Sequence, residues 1–332
     1  MRTALSMKPT GWFQIGWSTD VGVGDVVPRR CFGEDLVLYR GTDGVVRVHD
    51  AYCQHLGANL AYGGCVTDAG IQCPFHGWVW APDGSNVSIP YQDRPNTART
   101  VRAWPVVERN ESLYVWHDAA GRPPAWEVPD ALRVFGDYVS ERQYRPVAQS
   151  HFTGLQVHPQ VVAENAVDPH HFRFVHGTPV SPVVLEERVA GPEWFALVGF
   201  GRRWANHEGP VTDRMNTIAI LWSGLGTSFN AELTASGIRV ISINVLPVDA
   251  DTTEIFAAYW LDRGAPGDGP EADDDARYRQ RLDEAMRALP DDINIWDHQR
   301  YLDRPGLATS EAAGFTTLRR WAQSFYPAAV AS

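Results

Sequence analysis

Two short segments decide the fold of this chain: Cys53-Gln54-His55 and, after 17 further residues, Cys73-Pro74-Phe75-His76-Gly77-Trp78. Each segment offers one thiolate and one imidazole, and two such loops can converge on one metal centre. Tetrahedral zinc accepts this ligand set. A Rieske [2Fe–2S] cluster accepts it too, with two cysteines on one iron and two histidines on the other.

The surroundings of the two segments favour the cluster over zinc. Glycines flank both of them, and short strands broken by turns extend from Trp12 to about His117. The Asp43-Gly44 turn between two runs rich in β-branched and apolar residues is a strong hairpin signal. Two loops that meet at the tip of a β structure are typical of Rieske domains, whereas a zinc finger is small and depends on its metal to fold.

The other two cysteines, Cys31 and Cys65, belong to neither segment, and we expect both to be small buried hydrophobic residues. Respiratory Rieske proteins brace their loops with a disulfide, but the corresponding positions hold Ala58 and Phe75. The sequence therefore favours a cluster of the oxygenase type.

Composition and charge exclude several classes of protein. The chain has 332 residues, of which 44% are hydrophobic and 21% charged, as in globular proteins. Its net charge of −11 makes it a poor nucleic-acid binder. No run of 18 apolar residues predicts a membrane span. Residues 1–13 lack an apolar core and a cleavage site, so we expect no secretory signal and a cytoplasmic protein.

The chain as a whole has an α+β pattern. We predict an all-β domain over residues 1–120, a Pro-rich linker over 121–134 and a second, α+β domain over 135–332. A solvated loop is predicted over 264–275. The predicted strands and helices of the second domain are Trp194–Gly201, Thr217–Leu221, Ile238–Leu246, Glu254–Trp260, Ala276–Leu289 and Asp292–Leu302.

A second histidine cluster lies in the segment Asp168-Pro-His-His-Phe-Arg-Phe-Val-His-Gly177. Asp168 is a good N-cap, Pro169 a good first helical residue and Gly177 a good C′ residue, so a short helix is predicted. His171 and His176 are five residues apart and cannot share one face of a regular helix. They can share a metal if a π-bulge intervenes or if His176 lies at the end of the helix.

Two histidines and one carboxylate form the facial triad that binds non-haem iron(II) and leaves positions open for oxygen. The carboxylate can come from a distant segment. Asp291 and Asp292 open the second predicted helix, where a carboxylate projects from the first turn. As a simple N-cap, Asp292 would also be unremarkable, and spacing alone does not separate the two roles.

The chain resembles the oxygenase component of Rieske non-haem iron oxygenases, and more closely the terminal oxygenase of 3-ketosteroid 9α-hydroxylase. The resemblance extends from about Trp12 to Tyr326. One departure from the steroid pattern is Gly77, where an acidic residue is usual. The matching stretches are Asp50–Gly57, Cys73–Trp78, Ile89–Tyr91, Ala98–Thr100, Leu113–Asp118, Glu164–His176, Asp292–Trp296 and Leu318–Trp321.

The resemblance implies roles for the residues of both clusters. Cys53, His55, Cys73 and His76 would hold the [2Fe–2S] cluster. His171, His176 and Asp292 would hold a mononuclear iron, and His170 would be a neighbour rather than a ligand.

Two further residues receive roles from the same resemblance. Asp168 would form the bridge that carries electrons from a Rieske histidine of the next subunit to the iron, which implies a homotrimer. Asn165 is a further candidate catalytic residue. The second domain would be a helix-grip-like catalytic domain.

The resemblance also implies the reaction. The chain would use O2, and electrons from a flavin/iron–sulfur reductase with or without a ferredoxin, to hydroxylate a bulky hydrophobic substrate, a steroid. The alternatives are a sterol desaturase or demethylase on the same scaffold, and a Rieske electron carrier without oxygenase activity. We expect an apolar pocket near residues 190–260, a segment whose aromatic residues include Trp194, Phe195, Trp204, Trp222 and Phe229.

Overall fold

The computed structural model describes residues 5–136, 139, 144, 148–212, 214–234, 237–262 and 275–327. These residues form four antiparallel sheets: one of three strands, two of four strands and one of seven strands. The α-helices all belong to the rear part of the chain. Together they make an α+β fold, as predicted. Among these residues, no helix is both long and apolar enough to cross a membrane.

The front part of the chain contains the three small sheets, with the strand orders β1-β11-β10, β2-β3-β4-β9 and β5-β6-β7-β8. The predicted hairpin around Asp43-Gly44 is confirmed as β3 and β4. The strands are β1 (Gly11–Trp17), β2 (Val26–Cys31), β3 (Glu34–Arg40), β4 (Val46–Asp50), β5 (Cys65–Thr67), β6 (Gly70–Gln72), β7 (Val79–Trp80), β8 (Asn86–Ser88), β9 (Ala103–Trp104), β10 (Val106–Arg109) and β11 (Ser112–His117).

The rear part is built on the seven-stranded sheet, with strand order β12-β18-β17-β16-β15-β14-β13. All four strands predicted here are present, within two residues of their predicted ends. The elements are β12 (Ala148–Leu155), α1 (Pro159–Glu164), α2 (His171–Phe174), β13 (Val183–Ala190), β14 (Glu193–Gly199), β15 (Thr217–Ser223), β16 (Thr227–Thr234), β17 (Gly237–Pro247), β18 (Thr253–Leu261), α3 (Asp275–Trp296) and α4 (Ala312–Ala322).

The central strands of the large sheet, β14 to β18, bury side chains on both of its faces, whereas the edge strands β12 and β13 are mostly exposed or half-buried. Successive side chains of a strand point to opposite faces. On β15, Ala219 and Leu221 pack in the core shared with the front part of the chain. Ile220 and Trp222 pack in a second core together with α1, α3 and α4. The sheet therefore separates the front β unit from the helices.

Helix α3 corrects the prediction of two separate helices over 276–289 and 292–302. It is one helix that continues through Pro290, and it ends at Trp296. Its buried residues Ala285, Leu289, Ile293 and Trp296 follow one another at intervals of three or four, so one apolar stripe continues past the proline. Packing of that stripe outweighs the lost backbone hydrogen bond. Most of the loop predicted over 264–275 lies outside the described residues, and Asp275 itself begins α3.

The segment that we predict as a linker contacts both parts of the chain. The main-chain oxygen of Trp126 accepts a hydrogen bond from Trp12 Nε1 at 2.7 Å. The Trp126 ring lies edge-on to Trp116 at 4.6 Å and to Phe325 at 5.8 Å between ring centroids. The domain limits 1–120, 121–134 and 135–332 stay a proposal.

A buried polar cluster joins the front unit to the large sheet. Asn244 of β17 donates from Nδ2 to Gln14 Oε1 at 2.7 Å and to the Tyr114 hydroxyl at 3.3 Å. Its Oδ1 accepts from the Ser228 N–H at 3.2 Å. Because Gln14, Tyr114 and Asn244 are fully buried, water cannot replace these hydrogen bonds.

We predict that Asn244→Leu lowers the free energy of unfolding by about 2–4 kcal/mol, because it leaves buried polar groups of the front unit without their shared partner. Urea-induced unfolding measures the change. The matched control is Asn294→Leu on the exposed side of α3, which should alter stability by about 0.5 kcal/mol or less. Equal effects of the two substitutions would contradict the prediction.

Candidate metal centres

The two Cys/His loops have the same backbone structure. In each loop the N–H of the cysteine donates to a carbonyl five residues later, and its carbonyl accepts from a glycine N–H four residues later. Both glycines have a positive φ, +77° at Gly57 and +71° at Gly77, so the departure at Gly77 has a backbone reason. The hydrogen bonds are Cys53 N–H to Ala58 O (2.9 Å), Gly57 N–H to Cys53 O (2.9 Å), Cys73 N–H to Trp78 O (2.8 Å) and Gly77 N–H to Cys73 O (3.1 Å).

The loops bring both histidines to one place. The His55 and His76 rings lie 4.7 Å apart between centroids, and His55 stacks on Trp78 at 4.5 Å and 5°. Buried His76 Nδ1 has no hydrogen-bond partner in the described part of the chain. A buried imidazole nitrogen of this kind fits a metal ligand, which needs a free lone pair.

The two cysteines of these loops are buried and close to each other. Burial raises the pKa of the Cys53 thiol, and the neighbouring Cys73 side chain adds to the rise. The indole Nε1 of Trp80 lies 3.3 Å from Cys53 Sγ and donates to it. Because two adjacent buried thiolates need cationic charge beside them, the thiol pair fits an iron cluster.

The expectation for the two other cysteines is half right. Cys31 is fully buried, as predicted, and burial raises the pKa of its thiol to about 12. Cys65 is exposed instead, and its Sγ donates to Gln72 Oε1 at 3.3 Å. It lies on the short strand β5 at the edge of a small sheet, which has too little core to cover it.

The second candidate centre begins at the short helix α2. Asp168 Oδ1 accepts from the N–H of His170 at 3.0 Å and of His171 at 3.3 Å, as predicted for a capping side chain, but α2 itself starts at His171, later than the predicted first helical residue Pro169. His176 follows the helix by two residues, and Gly177 has φ +68°. The end-of-helix arrangement, rather than a π-bulge, therefore lets His171 and His176 face each other, with 5.4 Å between their ring centroids.

Asp292 completes this cluster from the far end of the chain. Ligand atoms of His171, His176 and Asp292 all lie within 4.8 Å of one another, and His176 Nε2 is 3.2 Å from Asp292 Oδ1. Asp292 belongs to the last two turns of α3, so its predicted position in the first turn of a helix is wrong. The continuous α3, which carries Asp292 on the face of Leu289 and Trp296, brings it to α2.

The side chains of His171, His176 and Asp292 are half-buried. Burial and the contacts between them shift the pKa values of both histidines. Burial lowers the pKa of His171, an effect that the Asp292 carboxylate opposes. The hydrogen bond to Asp292 raises the pKa of His176. Two imidazoles and a carboxylate in this arrangement suit a divalent iron, which takes neutral imidazole nitrogen and carboxylate oxygen on one face and keeps the opposite positions open.

Neighbouring residues orient the cluster. The main-chain oxygen of Asp168 hydrogen-bonds to His171 Nδ1, which leaves Nε2 of that ring toward the cluster. The Asn165 amide nitrogen lies 3.2 Å from the same Nε2. His170 points elsewhere, with Nδ1 3.0 Å from the Ser181 hydroxyl. The structure therefore brings His171, not His170, to the cluster.

A cavity opens beside His171, His176 and Asp292, which form part of its wall. The expected apolar pocket is present on the large sheet, but of the five aromatic residues only Trp222 lines it. Trp194, Phe195, Trp204 and Phe229 pack elsewhere. The lining comprises Val162, Asn165, Ala166, His171, Phe172, His176, Ile218, Ile220, Trp222, Ser228, Asn230, Glu232, Arg239, Ile241, Ile243, Tyr259, Ala285, Ala288, Leu289, Asp292 and Trp296.

Sequence reasoning missed the polar side chains of this cavity. Ser228, Asn230 and Glu232 alternate with buried residues on β16, and Arg239 lies opposite Glu232 on β17. The signal was available as a polar residue at every second position of an otherwise apolar strand. Without the sheet, that alternation indicates a solvent-exposed face rather than a cavity.

Two family models match the chain. The Rieske [2Fe–2S] domain matches residues 11–105, which decides between the iron cluster and zinc. The 3-ketosteroid 9α-hydroxylase C-terminal domain matches residues 115–326, more than half of the chain.

The curated relatives agree with these matches. A cholesterol 7-desaturase of Bombyx mori is 39% identical over a stretch that spans 51% of this chain and 36% of the relative. The chain thus spans little more than a third of that protein. The oxygenase component of a 3-ketosteroid-9-alpha-monooxygenase from Rhodococcus rhodochrous is 29% identical, covering 95% of this chain and 80% of the relative.

Among solved structures, dicamba monooxygenase bound to dicamba has the same fold. The TM-score is 0.69 at 18% identity, over 95% of this chain and 96% of that one. The fold, the paired Cys/His loops and the two family matches lead to one conclusion. This chain belongs to the Rieske non-haem iron oxygenases, in the family defined by the 3-ketosteroid 9α-hydroxylase C-terminal domain.

Proposed function

We propose that this chain is the terminal oxygenase of a multicomponent system that hydroxylates a bulky hydrophobic substrate, a steroid. The observation that carries the proposal is the cluster of His171, His176 and Asp292 on the wall of a largely apolar cavity, in a chain that also has a Rieske domain. The similarity to a 3-ketosteroid-9-alpha-monooxygenase component supports the steroid as substrate.

Each centre would be held by the residues that fit it. Cys53, Cys73, His55 and His76 would hold the [2Fe–2S] cluster. His171, His176 and Asp292 would hold the mononuclear iron. When bound, the cluster supplies electrons from the reductase and the iron activates O2 beside the substrate.

The surrounding residues of this chain would position the reactants. The Asp168 carbonyl fixes the His171 ring through Nδ1, and the Asp168 carboxylate accepts from the N–H groups of His170 and His171 where α2 begins. Asn165 borders the cavity with an amide nitrogen 3.2 Å from His171 Nε2, where it can hydrogen-bond to an oxygen atom of a bound molecule. Leu289 and Trp296 of α3 line the cavity with apolar surface and would help to exclude water from it.

The proposal includes a homotrimeric ring in which Asp168 connects the cluster of one subunit with the iron of the next. Two exposed apolar areas support it. Near the cluster loops, Leu56 is 66% exposed and Phe75 62%, and near His176, Phe174 is 81% exposed. Apolar side chains at both places suit a head-to-tail contact between copies, which a ring closes.

The proposal also includes the reductase, with or without a ferredoxin, and a cytoplasmic location. No disulfide links the four cysteines, all of which lie among the described residues. Reduced thiols are typical of reducing compartments, where such reductases operate.

Desaturation of a sterol is a second candidate, because cholesterol 7-desaturases are among the relatives. Both reactions remove hydrogen from a C–H bond held beside the same iron ligands, so the cavity suits either. A pure electron carrier is disfavoured, because it has no use for a second cluster at a cavity.

The test is turnover with a surrogate reductase against a panel of 3-ketosteroids, sterols and aromatic acids, read by mass spectrometry. We expect a 3-ketosteroid to gain one oxygen atom. Loss of two hydrogen atoms from a sterol would instead establish the desaturase. Consumption of electrons with no modified product in any class would contradict both.

We predict that Asp292→Ala retains the visible absorption of the cluster but loses the mononuclear iron and at least 99% of turnover, because one of three ligands is removed. Iron analysis should fall from about three to about two atoms per chain. The matched control is Asp291→Ala, its exposed neighbour on α3, which should retain both. Full activity of Asp292→Ala would remove that residue from the triad.

We predict that Asp168→Asn retains both metal centres yet slows product formation at least tenfold. The amide oxygen can still cap α2, and the main-chain contact to His171 is unchanged, but the negative charge between subunits is lost. Rapid-mixing spectroscopy of the reduced protein with substrate and O2 measures reoxidation of the cluster. Reoxidation at the normal rate would mean that Asp168 is no bridge.

A further inference from the structure

Arg319 of α4 binds two segments of the chain that are far apart in sequence. Its Nε and one terminal nitrogen donate to the two carboxylate oxygens of Glu164, each at 2.9 Å. Its other terminal nitrogen donates to the main-chain oxygens of Leu302 at 3.0 Å and Asp303 at 3.1 Å. The guanidinium thus connects the last residue of α1 with the segment that follows α3.

The neighbours of this ion pair hold it in place and cover it. The Arg319 side chain is 18% exposed and that of Glu164 11%. The guanidinium lies over the Tyr301 ring, 4.7 Å from its centroid. Gln160 is fully buried, and its Nε2 donates to Glu164 Oε1 at 2.9 Å and to the Tyr301 hydroxyl at 3.1 Å. Contacts to two carboxylate oxygens and two carbonyls need the planar fork of an arginine, which lysine lacks.

Two further contacts join α1 to the segment after α3. The first is the hydrogen bond between Gln160 and Tyr301. The second lies ahead of α1, where the N–H of Gln156 donates to Asp297 Oδ1 at 2.6 Å, one residue after the end of α3. With the bonds of Arg319, the contacts extend along the whole length of α1, so this helix is fixed against the end of α3.

Helix α4 also contacts the chain that leads from α1 to α2. Gly314 lies so close to it that a Cβ at that position would be 3.3 Å from Val167 Cβ. Just before α4 begins, the Ser310 hydroxyl lies 3.4 Å from His170 Nε2. Helix α4 and the residues before it therefore follow this connection from one helix to the next, and Arg319 makes the contact at the α1 end.

The three side chains of the candidate mononuclear centre come from the two segments that Arg319 connects. His171 and His176 follow α1, and Asp292 belongs to the last two turns of α3. Local structure places the two histidines relative to each other. Their distance from Asp292 depends instead on how α1 is held against the end of α3.

We propose that Arg319 is a positioning residue for the mononuclear iron. Through Glu164 and the carbonyls of Leu302 and Asp303, it holds the two histidines and the carboxylate at the separation that one metal ion needs. The inference rests on the proposed function and adds a residue outside the cavity that controls the metal centre. Loss of a group that orients metal ligands typically lowers metal affinity about ten- to hundredfold.

The experiment measures Co²⁺ binding to the purified chain after a chelator has removed the mononuclear iron and left the [2Fe–2S] cluster in place. Co²⁺ accepts the same imidazole and carboxylate ligands as iron(II). Because the oxidised cluster is diamagnetic, the EPR spectrum then reports Co²⁺ alone. We expect Arg319→Met to bind Co²⁺ about tenfold more weakly than the wild-type protein. Its Co²⁺ signal at saturation should also differ, while the EPR signal of the reduced cluster stays the same.

The matched control is Arg320→Met, the exposed neighbour on α4, which should bind Co²⁺ like the wild-type protein. Arg319→Met leaves the Glu164 carboxylate without its cation, which costs stability. The double variant Glu164→Gln/Arg319→Met removes both charges and should be more stable than Arg319→Met. It should nevertheless show the same loss of Co²⁺ affinity, because the connection between the two segments is still missing.

Arg319→Lys separates positioning from simple charge pairing. Lysine keeps a cation beside Glu164, but it cannot hold both carboxylate oxygens and the carbonyls of Leu302 and Asp303 at once. We expect this variant to fold with nearly the stability of the wild-type protein, as measured by urea-induced unfolding. Its Co²⁺ affinity should still be lower, and its Co²⁺ EPR signal should resemble that of Arg319→Met.

The outcomes separate this inference from the proposed function. Wild-type Co²⁺ affinity and EPR signal in both Arg319→Lys and the double variant would overturn the role of Arg319 and leave the metal centre standing. Loss of the cluster signal together with Co²⁺ binding in every Arg319 variant would mean that the residue only supports folding. If the wild-type protein binds no more Co²⁺ than Asp292→Ala, the proposed metal centre fails, and the role of Arg319 fails with it.

Discussion

The alternation of side chains across the seven-stranded sheet is the constraint on which the rest of the molecule depends. On β15 to β18, one set of residues packs against the front β unit and the other faces the helices and the cavity. A shift of one residue in any strand would exchange the two sets. It would place Asn230 and Glu232 in an apolar core and Phe229 in the cavity. The register of the strands thus decides both which side chains contact the front unit and which side chains line the cavity.

Helix α3 supplies Asp292, the third residue of the candidate metal centre, beside this sheet. Its apolar stripe packs on the sheet, and the face that carries Leu289 and Trp296 also carries Asp292. Because the stripe is continuous past Pro290, the carboxylate lies beside α2 rather than at a helix start. The geometry of the cluster of His171, His176 and Asp292 is therefore a product of tertiary packing between segments far apart in the chain, with only the two histidines placed by local structure.

The contrast between local structure and long-range packing explains how much of the site could be predicted from the sequence. The Cys53–His55 and Cys73–His76 loops, and the capped helix at Asp168, are encoded locally and were predictable from spacing. The resemblance pointed to Asp292, but its helical position depended on packing that outweighs a proline, which local rules do not capture. The exposure of Cys65 and the position of the polar β16 side chains in the cavity depend on the neighbouring strands. Neither was predictable before the strand order was known.

The matched hydrogen bonds of the two cluster loops have an evolutionary consequence. Under the proposed ligation, two cysteines, two histidines and the backbone turns at Gly57 and Gly77 would hold the cluster, whereas Gln54, Leu56, Pro74 and Phe75 are all exposed. Mutations at those four positions can remodel the outer rim of the redox centre without disturbing its ligands. Natural selection can thus retarget the chain to new electron-transfer partners while the inorganic chemistry stays constant.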